Sequence, residues 1–210
     1  MPYTVKEIFY TLQGEGLQSG RPAVFCRFSG CNLWNGKHKD RVHATCQFCD
    51  TDFVGTDGPG GGRFQDADTL AEVLKTHCPS PEQPAKFVVL TGGEPLLQVD
   101  PPLLEALSSA GFEIAVETNG TQKAPAGIDY LCVSPKTAKL KQNHGNELKL
   151  VFPQAGLAPE AFIHLDFDSF FLQPMDGPQR EENTQKALEY CLSHPKWRLS
   201  LQTHKILNIP

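Results

Sequence analysis

Three cysteines are spaced as a metal centre would need them. Cys31, Cys46 and Cys49 follow the pattern C-x14-C-x2-C. Cys46 and Cys49 can reach one centre from a single tight loop, and the intervening stretch can bring in Cys31. Thiolates are soft ligands that suit zinc or iron–sulfur clusters. Spacing alone leaves two chemistries open. One is a structural zinc site closed by His38 or His43. The other is a four-iron cluster with three protein ligands and one open iron, the kind of vacancy that catalysis needs. Phe48, between the last two cysteines, would shield such a centre from water.

Further chemistry-bearing residues sit at the ends of apolar runs. Phe87–Leu90 runs into Thr91-Gly92-Gly93-Glu94-Pro95. Gly92 and Gly93 lack Cβ and let backbone approach a ligand closely. Phe112–Val116 ends in Glu117-Thr118-Asn119-Gly120, and Tyr130–Val133 ends in Ser134-Pro135-Lys136. Arg27 interrupts an apolar run, Ala23–Phe28, where an unpartnered charge is unusual.

The elements that position these residues alternate. Val5–Tyr10, Ala23–Phe28, Phe87–Leu90, Phe112–Val116, Tyr130–Val133, Leu148–Phe152, Phe170–Leu172 and Arg198–Leu201 read as strands. Asp68–His77, Pro101–Ala110 and Glu181–Leu192 read as helices, with Pro79, Pro81 and Pro84 ending the first. Asn32–His43 reads as a polar surface loop and Gly58–Gly62 as a flexible connector. Strands alternating with helices or loops predict an α/β fold with a parallel sheet, whose ligand lies beyond the carboxyl ends of the strands. A closed eight-unit barrel takes about 250 residues. The 210 residues here predict a partial barrel in one domain, 1–210, with an expanded cysteine loop at 31–49.

Composition narrows the function classes. The net charge is −5, which gives no support to a nucleic-acid surface. No apolar run approaches the about 18 residues of a membrane span, and the start shows no export signal, so the cytoplasm is the expected location. Seven cysteines, an odd number, do not form a disulfide pattern. Cys26, Cys132 and Cys191 read as core thiols, and Cys78 as an exposed one at a helix end. Phe167, Phe170 and Phe171 read as core or dimer contacts.

The three cysteines, preceded by Phe28-Ser29-Gly30 and joined to Thr91-Gly92-Gly93-Glu94-Pro95, resemble the radical S-adenosylmethionine superfamily. That superfamily usually spaces its cysteines C-x3-C-x2-C. The expanded first interval, with Leu12-Gln13-Gly14-Glu15-Gly16 and Cys49-Asp50-Thr51, is similar to the 7-carboxy-7-deazaguanine synthase family over the whole chain. The resemblance implies a partial, modified (β/α) TIM-like barrel of the radical S-adenosylmethionine type. It also implies ring contraction of 6-carboxy-5,6,7,8-tetrahydropterin to 7-carboxy-7-deazaguanine with loss of ammonia, started by a 5′-deoxyadenosyl radical.

Site roles follow from the same resemblance. Cys31, Cys46 and Cys49 hold a [4Fe–4S] cluster. Phe48, Cys49, Asp50, Gly92, Gly93, Glu94, Ser134, Pro135, Lys136, Gln173, Pro174, Met175 and Asp176 meet S-adenosylmethionine, with Glu94 receiving its ammonium or only capping a turn. Leu12, Gln13, Gly14, Glu15, Arg27, Thr91, His204 and Pro210 meet the pterin, and Lys205 helps close the pocket. Thr51 is similar to a ligand of Mg2+, a hard cation that takes oxygen donors. A homodimer and a small electron-donor protein such as a flavodoxin are the implied partners, and the basic residues Lys37, Lys39 and Arg41 of the expanded loop make it the expected docking place for the donor. Two other readings stay in view: an activating enzyme for a glycyl-radical protein, and a binding module with structural zinc.

Overall fold

The computed structural model describes residues 2–80 and 86–210. Pro81 and Pro84 therefore lie outside the described residues. One nine-stranded sheet organises the chain in the order β3-β1-β2-β4-β5-β6-β7-β8-β9. Its strands are β1 (Tyr3–Leu12), β2 (Pro22–Phe28), β3 (Gly62–Phe64), β4 (Lys86–Gly92), β5 (Phe112–Thr118), β6 (Tyr130–Val133), β7 (His144–Phe152), β8 (Asp166–Pro174) and β9 (Trp197–Leu199). From β2 through β9 every pairing is parallel, whereas β1 pairs antiparallel with both β2 and β3.

Helices cover only part of the outer face. They are α1 (Ala67–Thr76), α2 (Pro101–Ser109), α3 (Arg180–Ser193) and a short α4 (Thr203–Leu207). Asp66 caps α1 by accepting from the Thr69 amide, and Asp100 caps α2 by accepting from Leu103. Proline opens α2, where its missing N–H has no helical partner to lose. Gly111, at φ 82°, turns the chain out of α2 into β5. Loops rather than helices join β5 to β6 and β6 to β7.

Alternation along the strands separates two interiors. Val24, Cys26 and Phe28 of β2, Val88 and Leu90 of β4, Ile114 and Val116 of β5, and Leu148 and Leu150 of β7 join the main apolar core with α1 and α2. The opposite face carries Ala23, Phe87, Val89 and Ala115 as a smaller apolar cluster. Further toward the strand ends this face turns polar, with Arg27, Glu117 and Lys149.

The structure corrects several expectations. Gly58–Gly62 is no loose connector. The Gly58 amide donates to the Lys6 carbonyl at 3.0 Å and the Ile8 amide to the Pro59 carbonyl at 2.7 Å, and Gly62 opens β3. Cys78 is buried, and Cys191 is half-buried. A short 3-10 helix, His38–His43, stands inside the polar loop. The last strand starts one residue earlier, at Trp197, and ends at Leu199, and helix α4 follows it. Phe167, Phe170 and Phe171 are all buried, so they serve the core. Among the described residues no helix is long and apolar enough to cross a membrane.

Candidate active site

A cavity of about 360 Å³ opens beyond the carboxyl ends of the parallel strands. One wall is the cysteine loop. Cys31, Cys46, Phe48, Cys49, Asp50 and Thr51 all line it. Packing of the loop rests on Trp34, 7% exposed, which meets Phe53 edge to face at 5.6 Å. Arg41 lies over the Trp34 ring at 3.9 Å and donates from Nη1 to the carbonyls of Gln47 and Cys49, each at 2.9 Å. Arg41 thus braces the cysteine turn from within. Asn32 Nδ2 donates to Thr121 Oγ1 at 2.7 Å, and Asn119 Nδ2 donates to Asn32 Oδ1 at 3.1 Å, which ties the start of the loop to the end of β5.

The thiols are unequal. A hydrogen bond shared with Cys46 draws the Cys49 thiol down to about 6 and pushes Cys46 up. Burial pushes Cys31 up. Among the described residues, no three His, Cys, Asp or Glu side chains close on one point as a single ion requires. A cluster gives each thiolate its own iron and sets its ligands apart. Cys31, Cys46 and Cys49 put three soft thiol donors on one wall, the donor type such a cluster takes. His38 and His43 are exposed and off the cavity wall, so neither completes a zinc site.

Gly92 and Gly93 bring backbone against the first cysteine. Gly92 has φ 136°, which side-chain-bearing residues rarely adopt. A Cβ on Gly93 would overlap the Gly30 carbonyl and stand 2.8 Å from Cys31 Cβ. Glu94 takes the structural alternative. It is 0% exposed, off the cavity wall, and its oxygens accept from Leu96 N, Thr118 Oγ1 and Asn119 N at 3.0, 2.7 and 2.8 Å. Burial pushes its carboxyl up, although those three donors favour the charged form. It locks the ends of β4 and β5 together. Pro135 is likewise off the wall, and the other expected residues at the ends of β6 and β8, Ser134, Lys136, Gln173, Pro174, Met175 and Asp176, all line it. Lys136 Nζ donates to Ser134 Oγ at 2.5 Å, and burial lowers its pKa.

The opposite wall carries Leu12, Gln13, Gly14, Glu15, Arg27, Thr91, His204 and Pro210. Arg27 donates from Nε to Glu7 Oε1 at 2.7 Å, so its terminal nitrogens remain for another acceptor. Between the walls stands a charge cluster that sequence reading missed. Lys149 Nζ is 2.7 Å from Glu15 Oε2 and 3.4 Å from Glu117 Oε2. Burial disfavours the Lys149 charge, but the surrounding acids raise its pKa well above the usual value. Burial also works against the Glu15 carboxylate, yet the Lys149 charge and hydrogen bond hold it at about 2. Gln13 Nε2 donates to Glu117 Oε1 at 2.8 Å. Glu147, off the main cavity, accepts from Leu17 N and Tyr130 Oη at 2.8 and 2.7 Å and so fixes the Gly16 turn, φ 63°.

Fold and site together define a partial-barrel enzyme that gathers three thiols and a pocket of paired charges beyond its strand ends. No family model matches the chain. It is 61% identical to the 7-carboxy-7-deazaguanine synthase of Bordetella pertussis and 60% identical to that of Caulobacter vibrioides, in each case over 100% of both chains. A Bacteroides thetaiotaomicron protein of the same name is 41% identical over 98% of this chain and 97% of its own. The solved structure of QueE from Escherichia coli matches with TM-score 0.67 and 25% identity, covering 96% of this chain and 94% of that one. The chain belongs to the 7-carboxy-7-deazaguanine synthase family, and its sheet is the partial (β/α) barrel of the radical S-adenosylmethionine type.

Proposed function

We infer that this pocket carries out the family's reaction, the ring contraction of 6-carboxy-5,6,7,8-tetrahydropterin to 7-carboxy-7-deazaguanine with loss of ammonia, in 7-deazapurine and queuosine biosynthesis. One observation carries the reading. A single cavity joins the wall of Cys31, Cys46 and Cys49 to a wall with an anion-gripping arginine and a fixed carboxylate. Cys31, Cys46 and Cys49 would hold a [4Fe–4S] cluster, and Thr51 would offer an oxygen to Mg2+. Bound together, the cluster and S-adenosylmethionine would supply the radical chemistry of the family's reaction.

The chain's own residues position and shield. Gly92 and Gly93 bring bare backbone to the side of the cavity where the methionyl group would lie, and the ends of β6 and β8 line the side for the adenosyl group. Phe48 and Trp34 keep the cluster side apolar. Arg27 would grip the substrate carboxylate with its free terminal nitrogens, because Glu7 holds its Nε. Glu15, kept ionised by Lys149, suits the paired N–H donors of the pterin edge. Gln13, Gly14, Thr91, His204 and Pro210 complete that wall. The whole chain, 1–210, would act as one catalytic domain in the cytoplasm. A homodimer is supported by the apolar Leu192 on α3, 77% exposed. A small electron-donor protein of flavodoxin type would dock beside the exposed Lys37 and Lys39.

The test is mass spectrometry of an anaerobic reaction of reconstituted protein with reductant, S-adenosylmethionine, Mg2+ and 6-carboxytetrahydropterin. Formation of 7-carboxy-7-deazaguanine is expected, and Arg27→Lys should raise the substrate KM about 10-fold or more because a point charge cannot replace a two-pronged grip. Formation of 5′-deoxyadenosine without the product, in a protein with an intact cluster, would overturn the substrate assignment.

A further inference from the structure

Helix α4 buries no residue, and its Ile206 and Leu207 are 67% and 58% exposed. Apolar burial therefore does little to hold α4 to the barrel. Polar links hold it. Thr203 donates from N and from Oγ1 to the Gly14 carbonyl, each at 2.9 Å. Gln202 Nε2 donates to Glu15 Oε1 at 3.0 Å. These bonds reach only the loop after β1. Lys205 reaches the opposite wall. Its Nζ lies 2.6 Å from Asp50 Oδ2 and 2.6 Å from Asp176 Oδ2. Asp50 follows Cys49 in the cysteine loop, and Asp176 follows the end of β8.

One ammonium thus joins three chain segments that are far apart in sequence. Its neighbour His204 and the nearby Pro210 line the cavity. The side chains of Lys205 and Asp176 are each 28% exposed, so water screens this pair less than a fully open one. A Cβ on Gly14 would stand 2.9 Å from His204 Cβ, so the segment lies tightly against the loop after β1. No other side chain of α4 reaches the cysteine loop by a hydrogen bond or ion pair among the described residues.

We propose that Lys205 is a positioning residue: a two-carboxylate clasp that holds segment 202–210 shut across the pocket and thereby sets His204 and Pro210 against the pterin. The inference rests on the pterin site proposed above. Lys205 itself touches no reacting atom. Opening the clasp leaves the segment attached on one side only, and the pocket then spends less time in the binding-competent form. The substrate's apparent affinity falls by that fraction, while turnover from the filled pocket changes little.

Two readouts on the reconstituted holoprotein test this. Hydrogen exchange at the Lys205 and Ile209 amides, which donate to Gln202 and His204 carbonyls, reports the clasp without any turnover. Lys205→Met should speed that exchange and raise the pterin KM roughly 5- to 10-fold, the worth of two partly screened ion pairs, with kcat within about 2-fold and the melting temperature unchanged. Lys205→Arg should restore both. Asp176→Asn, read by exchange alone because Asp176 also lines the cavity, should speed the exchange more weakly, and it serves if Lys205→Met folds poorly. Unchanged exchange in Lys205→Met would overturn the clasp whatever happens to KM. A wild-type protein that makes no 7-carboxy-7-deazaguanine would instead overturn the pterin assignment, and the exchange comparison would still judge the clasp.

Discussion

Replacing Lys149 by methionine should be the most damaging single change inside the barrel. Lys149 is 3% exposed and faces Glu15 at 2.7 Å and Glu117 at 3.4 Å, side chains that are 15% and 23% exposed. At an effective dielectric of about 20, these contacts are worth about 6 and about 5 kcal/mol before desolvation. Lost hydration of the ammonium offsets several kcal/mol of that. Methionine restores the hydration term but leaves two carboxylates facing each other in a buried site. The net loss expected is about 3 kcal/mol at pH 8, the lower end of what a broken buried pair costs. The pH dependence gives the reasoning its sharpest check. In the wild type Glu15 is held at about 2, below its ordinary value, so the pair's contribution is complete above pH ~4.5 and fades only as pH falls toward 2. In Lys149→Met the paired acids push at least one carboxyl above its unfolded value. Its penalty is then full at high pH and shrinks as pH falls and the group takes a proton. Urea unfolding of the cluster-free protein, followed by circular dichroism at pH 8 and pH 5, measures this. The gap between variant and wild type should narrow at pH 5, and Glu117→Gln in the Lys149→Met background should recover part of it at pH 8. A gap under about 1 kcal/mol at pH 8, or one equal at both pH values, would refute the buried-pair account.

Two further changes probe the cysteine wall. Gly93→Ala should lower the iron bound per chain after reconstitution, because its Cβ meets Gly30 and Cys31; iron analysis with the visible absorbance band reads it, and full loading would show that the strand end yields. Arg41→Ala should strip the brace from Trp34 and from the Gln47 and Cys49 carbonyls and speed loss of iron to a chelator several-fold, with far-ultraviolet circular dichroism unchanged.

Much of the site was legible in the order of the residues. The C-x14-C-x2-C spacing, the Gly-Gly after an apolar run and the Leu12–Gly16 motif each need only local chain geometry, and all three meet at one cavity. Strand and helix periodicity placed most elements to within a few residues, because apolar alternation and capping are local. Arg41 shows the limit of such reading. In sequence it is one basic residue among several in a polar loop, and only the folded loop brings Trp34 and the Cys49 carbonyl to it.

Tertiary structure alone decided the charge cluster. Glu117 ends one strand, and Glu147 and Lys149 alternate with Leu148 and Leu150 in another. Such alternation reads as a strand with one face in water. Here the sheet curls, the apolar side meets the helices, and the polar side faces the barrel interior. A strand pattern states that two faces differ but not whether the polar one meets solvent or a pocket. That depends on how distant strands close around it, and closure turned Lys149 from an apparent surface charge into the buried partner of Glu15 and Glu117 beneath the pocket.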